Sequence, residues 1–153
     1  MKVYLFDWGD TLMVDFPNGK GKMCDWETVQ AVEGAKELLQ RLSSDDKIYI
    51  ATGAAESSES DIKAAFERVG LDRFISGYFC KANLGISKGS PEFLRSILDK
   101  LNVTPECVFM VGDSYEKDIV PALAIGIQAI WLSPSTTQAP FDNVRIIKSL
   151  REM

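Results

Sequence analysis

Four short stretches of this 153-residue chain hold the residue types best suited to chemistry. Phe6-Asp7-Trp8-Gly9-Asp10-Thr11 closes an apolar run with two carboxylates, Asp7 and Asp10. Burial disfavours a carboxylate's charge, so an acid at the tip of a buried strand is placed at a cost. Asp and Gly also form turns, and as a bare pattern the two readings weigh about equally. Ile50-Ala51-Thr52-Gly53 ends in a hydroxyl and an approachable backbone N–H, which suit a phosphate oxygen. Alone, that pair reads better as an ordinary helix-entry turn. In Ile86-Ser87-Lys88-Gly89-Ser90-Pro91 a cation stands just ahead of a helix N-terminus, a suitable place for an anion. A lone loop lysine is otherwise simply solvated.

The fourth stretch, Val111-Gly112-Asp113-Ser114, is the most specific. It brings a second strand-end acid, and Asp118 follows on the next helical turn. A hard cation such as Mg²⁺ takes a few carboxylates, a carbonyl and waters in octahedral geometry. The bland reading is helix capping by Asp113 or Ser114, with Glu116 and Asp118 favourable in the first turn.

Composition narrows the chemistry. The chain has no histidine, which excludes Ser-His-Asp and Cys-His catalysis, histidine metal ligands and a histidine general base. Carboxylates, lysines, hydroxyls and backbone amides remain. With 46% hydrophobic and 25% charged residues the chain can build a core and lacks a disorder signature. Seventeen basic against 22 acidic residues, a net charge of −5, argue against broad nucleic-acid binding, which needs a basic face. Cys24, Cys80 and Cys107 have no metal-like spacing, and Cys80 and Cys107 read as small buried hydrophobes. Met1-Lys2 leads straight into a strand, and no apolar run approaches the roughly 20 residues of a membrane span. The expectation is a cytoplasmic protein away from the membrane.

These residues must be positioned by the elements around them. Lys2 to Phe6, Lys47 to Ala51, Gly77 to Cys80, Glu106 to Val111 and Ile127 to Leu132 read as five buried strands. Helical spacing links Ala35, Leu38, Leu39 and Leu42, then Ile62, Ala65, Phe66 and Val69 before Gly70. A third helix starts with Ser90 as cap and Pro91 first. A fourth runs from Tyr115 to Gly126 with a kink at Pro121, and Val144 to Leu150 predicts a C-terminal helix. Alternation of strands and helices predicts an α/β fold: a parallel sheet covered on both faces, one domain over residues 1–153. Ligands bind such sheets beyond the strands' carboxyl ends, where strand order reverses. Asp7, Thr52, Lys88 and Asp113 all belong there.

In order and spacing this set resembles the haloacid dehalogenase superfamily of hydrolases, most of which are phosphatases, over Asp7 through Ile130. The resemblance implies a three-layer αβα sandwich with five strands in the order 5-4-1-2-3. It implies Asp7 as nucleophile, forming an aspartyl-phosphate. Thr52 and Gly53 would bind the phosphoryl group, and Lys88 would neutralise it and hold the nucleophile. Asp7, the Gly9 carbonyl, Asp113 and Asp118 would hold Mg²⁺, Asp118 directly or at one remove.

One departure matters. The superfamily's phosphatases usually place a general acid two residues after the nucleophile; here that position is Gly9, and the acid comes one later at Asp10. Losing a general acid/base costs about 10²–10⁴-fold. Three outcomes stand open: a slow phosphatase for good leaving groups, replacement by Asp10 or another acid, or a non-catalytic phosphate- or partner-binding relative. Haloacid dehalogenation uses the same nucleophile without metal and normally under a cap. Residues 13–34 and 81–87 are too short for a cap domain, so that chemistry is disfavoured, and the open site suits a large phosphorylated substrate or a partner, homo-oligomer included. Trp8, Phe16, Met23 and Trp26 form either such a contact surface or, more commonly, core. By sequence, Gly9→Asp raises hydrolysis if the missing acid is the bottleneck and changes nothing if another group fills the role.

Overall fold

Near-continuous Val, Ile, Leu and Phe runs form the strands of the computed structural model, which describes residues 1–136, 138 and 142–153. Six strands pair in the order β3-β2-β1-β4-β5-β6, every neighbouring pair parallel. They are β1 (Val3–Phe6), β2 (Lys47–Ala51), β3 (Gly77–Phe79), β4 (Val108–Gly112), β5 (Gln128–Leu132) and β6 (Val144–Ile147). The expected order of five is present, with a sixth strand added beside β5.

That sixth strand corrects the C-terminal helix. Val144-Arg145-Ile146-Ile147 is β-branched at three of four positions, and β5 offers it an edge of unpaired backbone groups. Val144, Ile147 and Leu150 are buried, as a helix would also have them, because so short a run satisfies both periods. Only a 3-10 turn, Leu150–Glu152, follows.

Side-chain alternation along β1 divides the core. Tyr4 and Phe6 point into a cluster with Leu38 and Leu39 of α1 (Ala35–Leu42) and Ile62 and Phe66 of α2 (Glu59–Glu67). Val3 and Leu5 point into a second cluster across the sheet. It holds Phe93, Leu94 and Ile97, from the helix Pro91–Leu101, and Ala122. The helices are numbered α3 (Lys81–Leu84), α4 (Pro91–Leu101) and α5 (Val120–Ala124). The fold is thus the αβα sandwich expected.

Local chemistry sets the helix ends. Ser58 and Asp61 close a reciprocal capping box on α2, and Ser90-Pro91 opens α4 as expected. The predicted helix over Tyr115–Gly126 is instead a π-helical turn, Tyr115–Ile119, running into α5. Pro121 lies in the first turn of α5, where its missing N–H costs nothing. Cys80 is buried; Cys107 is only half-buried, in the 3-10 turn Pro105–Cys107 that delays β4 by two residues. Among the described residues no helix is long and apolar enough to cross a membrane.

Residues 13–34 form a loop tied down at both ends. Val14 N–H donates to Gln30 O and Val32 N–H to Leu12 O, each at 2.8 Å. The Arg68 guanidinium, at the end of α2, donates to the carbonyls of Cys24, Trp26 and Glu27. Lys22 pairs with Asp61 at 2.9 Å.

Phe66 is fully buried, with ring centroids 6.0 Å from Trp8 and 5.8 Å from Tyr78. Phe66→Ala removes that core contact and is expected to cost about 3–5 kcal/mol in urea unfolding, with little change in slope.

Candidate active site

The register aligns the strand ends that matter. Phe6 of β1 lies opposite Ile50 of β2 and Val111 of β4, so Asp7, Thr52 and Asp113 emerge together at one edge. Backbone bonds hold the first two: Asp7 N–H donates to Val111 O at 2.9 Å and Thr52 N–H to Phe79 O at 3.0 Å.

Lys88 reaches this edge from the loop between α3 and α4. Its ammonium lies 2.7 Å from Asp7 Oδ1, 2.5 Å from Asp118 Oδ1 and 2.9 Å from the Ala51 carbonyl. Only 4% of the side chain is exposed; it donates hydrogen bonds to Asp7 Oδ1 and the Ala51 carbonyl, and its contact with Asp118 Oδ1 is an ion pair. Burial works against the charge, but Asp7 and Asp118 override it and raise the Lys88 pKa.

Asp118 is delivered by the π turn. Its N–H donates to Ser114 O at 2.9 Å, and its Oδ2 accepts the Ser114 N–H at 3.0 Å. The carboxylate folds back onto Gly112, where a Cβ would overlap it. Gly112 is therefore required by close approach. Ser114 Oγ caps the same turn by accepting Lys117 N–H at 3.2 Å, so the capping reading holds for Ser114 while Asp118 serves the site.

Asp7, Asp113 and Asp118 place carboxylate oxygens within 4.8 Å of one another. Burial first, then the hydrogen bond and charge of Asp7, push Asp113 up to about 7. Burial likewise raises Asp118, against the pull of Lys88.

A cavity of about 440 Å³ opens over these groups, lined by Asp7, Gly9, Thr52, Gly53, Lys88, Asp113 and Asp118. Thr52 Oγ1 accepts the Ala54 N–H at 3.1 Å, which leaves its proton free to donate. Asp10 is not brought in. It adopts a left-handed conformation, φ 59°, and its carboxylate turns to accept the Asp15 N–H at 2.9 Å. Trp8 and Met23 are core residues whose edges reach the cavity; Trp26 is half-buried on its rim.

Three residues escaped sequence reasoning. The Thr11 hydroxyl, fully buried, lies 3.3 Å from Asp7 Oδ2 and 3.4 Å from Asp113 Oδ1, with one proton to donate. Ser57 and Asp15 line the cavity from loops whose closure no local pattern encodes. Burial, then the charges of Asp10 and Asp7, raise Asp15.

Residues 9–126 match the family of haloacid dehalogenase-like hydrolases. The chain belongs to that family. Among curated relatives, glyceraldehyde 3-phosphate phosphatase of Pyrococcus furiosus is 27% identical over 103 residues, 67% of this chain and 42% of that protein. Phosphoserine phosphatase of Thermus thermophilus is 35% identical over 63 residues, 41% of this chain and 25% of that protein. The chain thus spans less than half the length of either. In fold it is similar to a crystal structure from Listeria monocytogenes serotype 4b, with TM-score 0.84, 22% identity, and coverage of 99% of this chain and 94% of that one.

The donor set fits a hard divalent cation. Three carboxylates converge, and the raised pKa of Asp113 reflects the burial and mutual repulsion that a bound cation would offset.

Two expectations follow. Lys88→Met leaves Asp7 and Asp118 buried against each other without their cation, and should destabilise the fold by about 3–5 kcal/mol in urea titration. The second concerns pH. Because Asp113 is raised from its unfolded value to about 7, the metal-free folded state binds more protons than the unfolded chain between those values. Its stability is present at low pH in that window and lost as pH rises through about 7. In EDTA the melting temperature should be higher at pH 6 than at pH 8, and Mg²⁺ should restore it most at pH 8.

Proposed function

We propose that this hydrolase is a Mg²⁺-dependent phosphomonoesterase that works through an aspartyl-phosphate on Asp7. The observation that carries the reading is the Lys88-held Asp7 carboxylate in a cavity that Thr52 and Gly53 also line. Asp7, Asp113 and Asp118 would hold Mg²⁺, Asp118 directly or through water because both its oxygens already accept hydrogen bonds or charge. When bound, Mg²⁺ neutralises phosphoryl oxygens.

An Asp7 oxygen attacks phosphorus in line, the ester P–O bond breaks, and the leaving oxygen takes both electrons and a proton. Water then attacks the phosphorus of the aspartyl-phosphate, giving inorganic phosphate and regenerating the Asp7 carboxylate. Lys88 orients Asp7 and offsets its charge during approach of the anionic substrate. The free Thr52 proton and the Gly53 N–H are positioned to donate to phosphoryl oxygens. Thr11 steadies the Asp7 and Asp113 carboxylates.

A small phosphomonoester suits the cavity of about 440 Å³, one wall of which is Asp15, Gly21, Met23 and Trp26 of the 13–34 loop. The names of the two curated relatives, both phosphatases of small phosphorylated metabolites, support that class. The short loop in place of a cap domain leaves the cavity mouth open to solvent.

Asp7→Asn removes the nucleophile and keeps its shape. With p-nitrophenyl phosphate and Mg²⁺, turnover should fall about 10³-fold or more while the melting temperature stays close to wild type. An Asp7→Asn enzyme as active as wild type would overturn the assignment. Activity on a 2-haloacid that is indifferent to EDTA would establish dehalogenation instead.

A further inference from the structure

We propose that Asp15 is the acid that protonates the leaving-group oxygen, resting on the aspartyl-phosphate reading above. An alkoxide leaves phosphorus poorly without a proton, and the chain has no histidine to supply one. The other carboxylates near the cavity are engaged elsewhere. Asp7 is bound by Lys88 and approached by Thr11, and Asp118 by Lys88 and the Ser114 N–H. Asp113 lies against Thr11 and Asp7 among the converging oxygens. Asp10 faces a separate cavity with Val32 and Glu33, its oxygen taken by the Asp15 N–H. Asp15 lines the reaction cavity, and among the described residues nothing donates to its carboxylate.

Its position is specific. A Cβ built on Gly9 would lie 3.3 Å from Asp15 Cβ and 3.4 Å from Asp15 Oδ2. Gly9 is not among the residues of positive φ, so its backbone does not demand glycine. A side chain at position 9 would start in tight contact with Asp15, which would have to give by a few tenths of an ångström, so the Asp15 carboxylate lies beside the volume that a residue 9 carboxylate would use. The loop makes this entry. Asp10 N–H donates to Met13 O at 2.6 Å, and the Asp10 carboxylate then holds the Asp15 amide, turning the chain back over Gly9. Asp10 is therefore a positioning residue, and Asp15 is the acid placed on the wall of the cavity that Asp7 also lines.

In the first step Asp15 gives its proton to the leaving oxygen as the ester P–O bond breaks, becoming a carboxylate. In the second it takes a proton from the attacking water as the aspartyl-phosphate is cleaved, so the cycle closes with no net gain or loss.

The test compares kcat/KM, which covers only steps through leaving-group departure, for glycerol 2-phosphate and 2,4-dinitrophenyl phosphate with Mg²⁺. In Asp15→Asn the alkyl ester should lose about 10²–10⁴-fold, while the dinitrophenyl ester, whose leaving group needs no proton, should lose less than about tenfold. Equal losses on both esters, with Asp7→Asn inactive, would overturn the role of Asp15 alone. Full activity in Asp7→Asn would overturn the underlying mechanism, and a wild type that turns over neither ester would overturn both. Gly9→Asp in otherwise wild-type protein provides a second check, since two carboxylates would compete for one volume. It should bring no gain on the alkyl ester, and an increase of about tenfold or more would mean that the volume had been open and Asp15 was not filling it.

Discussion

The buried Lys88 ammonium is the interaction on which the site's arrangement depends. It contacts three oxygens, from the ends of β1 and β2 by hydrogen bond and from the π turn after β4 by ion pair. Without it, Asp7 and Asp118 would be like charges pressed together out of water, an arrangement whose cost exceeds that of most single interactions in a fold this size. With it, three crossovers that are far apart in sequence are pinned to one point. The same contact that keeps the fold from repelling itself aims Asp7 at the cavity, so stability and chemistry draw on one group.

Around that point each element is shaped by what it must deliver. The parallel register brings Asp7, Thr52 and Asp113 to one edge. A π turn carries Asp118 beneath the edge, and Gly112 leaves space for it. Wider turns of this kind cost hydrogen-bond geometry and recur at functional sites. On the other side the 13–34 loop is anchored by Arg68 through three of its carbonyls, which is how a segment with little secondary structure can present Asp15, Met23 and Trp26 in a defined way.

Much of this was legible from residue order. Buried β-branched runs marked β1, β2 and β5 to within a residue or so, and Ser90-Pro91 marked the start of α4, because strand burial and helix capping are local properties. Asp7, Thr52 and Asp113 could be assembled because strand ends in a parallel α/β sheet share one edge whatever the loops do, while Lys88 was placed there by its loop ahead of a helix N-terminus. The Val144–Ile147 strand was misread as helix since a run so short fits either period; the open edge of β5 decided it. Thr11 gave no signal, because nothing local distinguishes a hydroxyl that reaches two carboxylates from one that caps a turn.

The sequence by itself determined the class of fold, the absence of imidazole chemistry and the four segments that meet at the site, because composition and periodicity act over a few residues. Tertiary structure decided which acid stands where. Asp10 follows Gly9 directly, yet its left-handed backbone turns its carboxylate to the Asp15 amide, and Asp15 arrives beside Gly9 through a loop. The direction of a side chain around a vacant Cβ depends on loop closure and crowding between residues brought together only when the chain folds. That is why the gap at position 9 was visible in the sequence and its occupant was not.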